Sequence, residues 1–322
     1  MESYRYRIVN FLVNYFIDLI ILITLNIYSR TRRKKLIIIS DPYGNWGNRL
    51  ILFSYAICWA KKHNSMVLNP SFKTYSKYFP HFQENFLCAI PLIIKVNKSI
   101  INFFNNLFSH SFARITKRND FIFTNTINNL CLYKKDKNTE SHFFNNTLKS
   151  KCVVFLSGFL FGNRDFNHIK KNRNALIHYF KFQEFISSEG DLILSKFQNK
   201  NNLVIGLCIR QGDYKTHEGG KYYLNDSQYL TIIKILRKQF ENNINFFIAS
   251  EESKPNFPML DNVIVSCGNP ALNIYMLSKC DFLIGPPSTF LTWSSFYKSV
   301  PVSYIDNSNW KQHNYSFSSA SF

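Results

Sequence analysis

Leu203 to Tyr214, LVIGLCIRQGDY, constrains the fold more than any other stretch of this chain. An apolar run rich in β-branching stops abruptly at Arg210, and Gln211, Gly212, Asp213 and Tyr214 follow it. Such a run, too short for a helix and without polar alternation, predicts a strand buried on both faces of a parallel sheet. Ligands of open α/β sheets bind just beyond the strands' carboxyl ends, so Arg210 stands where a ligand would. A plain Arg210–Asp213 ion pair at a strand end accounts for the same residues, and the rest of the chain has to separate the two.

Strand and helix patterns alternate around that stretch. LIIIS at residues 36–40 predicts a strand that opens into the turn-rich DPYGNWGNRL and then a helix from about Leu50 to Lys62. Gly44 and Gly47 would let backbone amides approach an anion at that helix's start, although a glycine loop alone is more often a plain turn. VVFLSGFLFGN predicts a strand ending at Gly158, with a helix over Asp165 to Phe185 after it. Beyond Arg210 come the loop KTHEGGKYY, a helix capped by Asn225 or Asp226, the strand INFFIAS ending at Glu251 and Glu252, and the strand VIVSC. PALNIYMLSKC, FLIG, STFLTWSSFYKS and PVSYI then read as helix, strand, helix, strand. Residues 91–151 are polar, Asn- and Lys-rich, and supply no site. With 322 residues and 46% hydrophobic content, two α/β domains are expected. We place an N-terminal hydrophobic helix with its basic flank in residues 1–35, one α/β domain in 36–200 and a second in 201–322.

Ile8 to Tyr28 is a nearly continuous apolar run of 21 residues, long enough to cross a bilayer core of about 30 Å. Asn10, Asn14, Asp18 and Asn26 interrupt it, and a mid-span carboxylate costs on the order of 3 kcal/mol, so a spanning helix, an interfacial helix and a helix packed on protein all stay open. Arg30, Arg32, Arg33, Lys34 and Lys35 outnumber Arg5 and Arg7, which orients the main body to the cytoplasm. A cleaved signal peptide is not expected, because the run is long and no small-residue cleavage site follows. Membrane association through residues 8–28 is the expectation.

A net charge of +19 suits nucleic acid, an anionic membrane face or a nucleotide phosphate. No zinc-finger spacing or arginine-rich tail accompanies the charge, so nucleic acid is not an expected partner. Seven cysteines without C-x-x-C spacing, mostly inside apolar runs, read as reduced core residues.

Four short motifs occur in one order. Gly47-Asn48-Arg49 opens the first helix; the strand at 153–157 precedes a glycine; Arg210-x-Gly-Asp213-Tyr214 ends a strand; and ALNIYMLSKCDFLIGPPSTFLTWSSFY carries Ser288, Thr289 and Phe290 at a helix start. In these blocks the chain resembles the bacterial α-1,2-fucosyltransferases. It departs from their pattern at Cys208, where that family has histidine, at Pro287 in place of asparagine, and at the paired tryptophans, of which only Trp293 is present. The resemblance implies a GT-B architecture of two facing Rossmann-like doubly wound domains. It also implies an inverting glycosyltransferase that moves fucose from GDP-fucose to a hydroxyl of a glycan acceptor, built here on the cytoplasmic face.

Carried over residue by residue, Arg210 and Asp213 become catalytic, and Gly47, Asn48, Arg49, Arg210, Tyr214, Glu251, Ser288, Thr289 and Phe290 bind the donor. A carboxylate at Glu251 could accept from both N1–H and N2–H of guanine, although two glutamates at a strand end are also explained by solvation. Ser288 caps a helix whose amides face the carboxyl end of a parallel strand, which makes a phosphate site; capping alone explains the residue types but not their placement beside Arg210. Asp213, His217 and Glu218 are the nearby candidates for a general base. No Asp-x-Asp pair occurs anywhere in the chain, so no metal and no cofactor are expected. A transferase for another GDP-sugar and a non-catalytic, membrane-attached binding protein are the competing functions.

Overall fold

The computed structural model describes residues 2–40, 43–93, 98–117, 130–134, 153–157, 166–197, 201–250, 255–258 and 260–319. The chain divides into two compact units, Met1–Lys181 and Phe182–Phe322.

In the N-terminal unit, β1 (Leu36–Ile39), β2 (Met66–Leu68), β3 (Leu130–Lys134) and β4 (Val153–Ser157) form a parallel sheet in the order β2-β1-β4-β3. Alternation along the strands sorts their side chains to two faces. Leu36, Ile38, Met66, Leu68, Val153 and Phe155 pack with α1 (Glu2–Arg32) and with Phe112 and Ile115 of a second helix, Lys98–Lys117. That face explains why α1 carries apolar residues opposite its solvent side. Its Asp18 is fully buried and bound in a fork by Arg114, with Nη2–Oδ1 at 2.7 Å and Nε–Oδ2 at 3.1 Å. The buried carboxylate is therefore paired by the protein, which answers the insertion cost that residue raised.

The helix α2 (Trp46–Lys62) starts earlier than the glycine pattern suggests. The Trp46 ring is held edge-on by Tyr75 and Tyr78 at 4.6 and 5.0 Å, and the Arg49 amide already donates to the Asn45 carbonyl at 3.1 Å. The single helix expected over Asp165 to Phe185 is instead two short ones, Phe166–Lys171 and Arg173–Tyr179. Residues 158–165, where the preceding strand was expected to end at Gly158, lie outside the described residues.

The C-terminal unit holds β5 (Leu203–Ile209), β6 (Ile244–Ser250), β7 (Val263–Cys267), β8 (Phe282–Gly285) and β9 (Val302–Tyr304), all parallel, in the order β7-β6-β5-β8-β9. Chain direction across the sheet reverses between β5 and β8, the topological switch point of a doubly wound domain. One face is filled by Ile205, Leu207, Phe246 and Ile248 against Tyr229, Ile232 and Leu236 of the helix Asp226–Gln239. That helix is opened by a full capping box between Asn225 and Gln228, so Asn225 is the cap and Asp226 is free for another task. The helix Glu184–Leu194 belongs to this unit because Gly190 lies against Tyr275, where an added Cβ would come within 2.6 Å of the ring. The Tyr275 hydroxyl also donates to Asp191 at 2.9 Å. The division thus falls at 181/182, ahead of residue 200. Cys58, Cys88, Cys208 and Cys280 are buried, as expected of core cysteines.

Candidate functional site

Arg210 leaves the end of β5, and Pro286, Pro287 and Ser288 leave the end of the adjacent β8, so the two segments flank the switch-point crevice. They are tied directly: the Tyr214 hydroxyl donates to the Pro287 carbonyl at 2.8 Å. The Arg210 guanidinium lies 4.8 Å over the Tyr214 ring and donates to Asp213 at 3.0 Å. Arg210 is 14% exposed and Asp213 67%, so the guanidinium is held in a half-dry notch by a partner that faces water. Its backbone amide makes a weak 3.5 Å bond to the Tyr229 hydroxyl, whose pKa burial pushes far up, so that phenol stays neutral.

Gln211 does not point toward a ligand. Its amide donates to the Leu224 carbonyl at 3.1 Å and to Asp226 at 2.7 Å, and the other Asp226 oxygen accepts the Asn256 amide at 2.7 Å. Asp226 therefore joins the loop after β5 to the segment after β6, a role that no sequence pattern announced. The rings of His217 and Tyr222 lie tilted against Tyr214, with centroids 5.6 and 6.2 Å away. His217 and Glu218 are both more than half exposed in the turn His217–Gly220.

Across the crevice, the helix Thr289–Lys298 begins at Ser288, whose hydroxyl accepts the Leu291 amide at 3.1 Å. This side chain satisfies one orphan donor and leaves the first-turn amides of Thr289 and Phe290 without an intrahelical acceptor. Gly285 sets how near the two strands come, because a Cβ there would lie 2.7 Å from the Cys208 carbonyl oxygen. The arrangement offers a fixed planar cation and a helix N-terminus, a combination that suits phosphate.

Gly47, Asn48 and Arg49 belong to the N-terminal unit and stand in the first turn of α2, not in the loop before it. Arg49 is engaged there: Nε donates to Gly44 at 2.9 Å, Nη1 to Ser71 at 3.1 Å, and the guanidinium lies 4.8 Å over Tyr75. It braces the glycine turn, in which Gly44 has φ +58°. Glu251 lies outside the described residues. Among the described residues, no group of three His, Cys, Asp or Glu side chains could hold a metal ion.

No protein-family model matches the chain, and no curated protein matches it either. Solved structures do. NodZ α-1,6-fucosyltransferase soaked with GDP-fucose aligns with TM-score 0.51 and 13% identity over 89% of this chain and 99% of its own. A selenomethionine form of NodZ from Bradyrhizobium gives 0.52 and 12% over the same shares. A variant of Arabidopsis thaliana FUT1 in complex with GDP gives 0.51 and 10%, over 84% of this chain and 70% of its own. The likeness is one of fold: the chain has the parallel-sheet α/β fold of the GT-B fucosyltransferases.

Proposed function

We propose that the protein is an inverting fucosyltransferase that moves fucose from GDP-fucose to a hydroxyl of a glycan acceptor, in the manner of an α-1,2-fucosyltransferase. The observation that carries this reading is the Arg210 guanidinium beside the Ser288 helix start, at the switch point of a sheet whose fold neighbours were crystallised with GDP-fucose and GDP.

Cleavage of the sugar–phosphate bond leaves negative charge on the β-phosphate. Arg210 and the amides of Thr289 and Phe290 meet that charge in a site preorganised for it, and no metal is required. Tyr214 holds the guanidinium from below, and Asp213 sets its orientation. Glu251 reads the guanine edge. The main body works at the cytoplasmic face of a membrane, where its glycan acceptor is assembled.

A donor screen with hydrolysis as readout tests this without knowledge of the acceptor. GDP-fucose should be hydrolysed in excess EDTA, with GDP-mannose, UDP-sugars and CMP-sugars left intact. Hydrolysis that needs added Mg²⁺ or Mn²⁺ would remove Arg210 from the leaving-group role. Binding of GDP with no turnover of any GDP-sugar would assign the fold here to a binding protein, the reading that the Cys208 and Pro287 departures favour.

A further inference from the structure

The helix α1 is apolar on two opposite faces, and the described residues cover only one of them. On the inner face Ile21, Leu22 and Leu25 are buried in the sheet core with Leu36, Ile38 and Phe155, and Asp18 is locked to Arg114. On the outer face Val9, Leu12, Phe16, Ile20, Ile23 and Ile27 are each 47–61% exposed. At 100° per residue these six fall within an arc of about 80°, diametrically opposite the buried set, in a stripe about 27 Å long. A row of large aliphatic and aromatic side chains of that extent is not what a soluble surface carries.

We propose that this stripe docks the enzyme on an anionic bilayer, with α1 lying in the plane of the interface. Charge selects the partner. Arg30, Arg32 and Arg33 are exposed at one end, Lys34 and Lys35 follow them, Arg7 is exposed at the other end, and no acidic residue lies between Asp18 and Asp41. Both ends of the stripe therefore carry positive charge. A second copy packed antiparallel would set those ends against each other, whereas anionic headgroups neutralise them. The inner face decides the orientation. A crossing helix would draw Leu36, Ile38, Phe155 and the Asp18–Arg114 pair into the hydrocarbon with it, while an in-plane helix wets none of its outer stripe and keeps its inner face on the sheet.

This deepens the reading of a membrane-held enzyme and does not depend on its chemistry. Flotation of the purified full chain with preformed vesicles reads attachment whether or not fucose is transferred. The protein should float with phosphatidylcholine–phosphatidylglycerol vesicles and do so on the order of tenfold less with phosphatidylcholine alone. Phe16→Glu with Ile20→Glu should abolish flotation without changing GDP affinity, and Arg30→Glu with Arg33→Glu should erase the preference for anionic lipid. On bound protein, Ser3→Cys should react fully with a membrane-impermeant maleimide added outside the vesicles. Protection of that cysteine would show a crossing helix, and unchanged flotation of the Phe16/Ile20 variant would show that the stripe is not the contact. A wild-type dimer that the same variant dissolves would give the face to a second copy. Any of these three results, or failure of the wild type to float, overturns the proposal.

Discussion

Arg210→Lys separates a leaving-group clamp from a strand-end ion pair, because the structure sets different costs for the two. The pair with Asp213 has a partner 67% exposed, so losing its geometry costs no more than about 1 kcal/mol. The stacking over Tyr214 adds about 0.5–1 kcal/mol. Both are losses of stability, and lysine recovers part of each because it keeps its charge. A donor aimed at developing charge in a preorganised site is worth roughly 3–4 kcal/mol, which appears in turnover as a loss of about 10²–10³-fold. Lysine's point charge cannot present the planar fork that fits phosphate oxygens. We therefore expect kcat for GDP-fucose hydrolysis to fall at least about a hundredfold while the urea midpoint moves little, and GDP affinity to fall far less than kcat. Asp213→Asn, measured alongside, should cost less than Arg210→Lys, since it disturbs only the orientation of the guanidinium. Turnover by Arg210→Lys within a few-fold of wild type, or a loss matched by unfolding, would refute the clamp.

Gly285→Ala should destabilise the C-terminal unit by about 1–3 kcal/mol in urea unfolding, because its Cβ would meet the Cys208 carbonyl oxygen at 2.7 Å and push β5 and β8 apart. Asp18→Ala should cost about 1–3 kcal/mol, because the Arg114 guanidinium that loses its buried partner is itself a third exposed and can turn to water, and a chain beginning at Lys34 should lose the N-terminal unit's fold, as seen by circular dichroism. Stability should also fall in alkali. Burial pushes the thiols of Cys58 and Cys88 from 9.0 up to about 12, so the folded protein keeps protons that the unfolded chain sheds first. Their contribution is intact below pH about 9 and is lost as pH rises toward about 12, so the urea midpoint should drop across that window and stay flat just below it.

The sequence made the C-terminal unit legible because its signals are local. The strand ending at Arg210, the Asn225 cap, the helix opened by Pro270 and the Ser288 start each depend on a few adjacent residues, and each stands where the pattern puts it. What could not be read is what depends on distant partners. Asp18 looks like a cost to a spanning helix until Arg114, 96 positions away, takes both its oxygens. Asp226 looks like a helix cap, and its bonds to Gln211 and Asn256 exist only once β5 and β6 lie side by side. Gly47 looks like part of a loop because glycine weakens a helix, yet the aromatic cage around Trp46 overrides that propensity and draws the helix start back to residue 46.

Two of the three departures from the fucosyltransferase pattern, Cys208 and Pro287, can be weighed in the same physical terms. At Pro287 the structure uses the carbonyl oxygen, which accepts the Tyr214 hydroxyl, and every residue type carries that group. Proline removes only an amide hydrogen and stiffens the segment ahead of the Ser288 cap. At Cys208 the side chain lies where β5 and β8 come closest: a Cβ built on Gly285 would be 3.0 Å from that of Cys208. A small, buried thiol fits this gap, whereas an imidazole would have to leave it for the crevice. Neither substitution removes Arg210, the backbone carbonyl that holds the Tyr214 support beneath it, or the Thr289 and Phe290 amides across from it. The charge-bearing half of the site is therefore compatible with both departures, and what they alter is the shape and polarity of the crevice wall between the two strands.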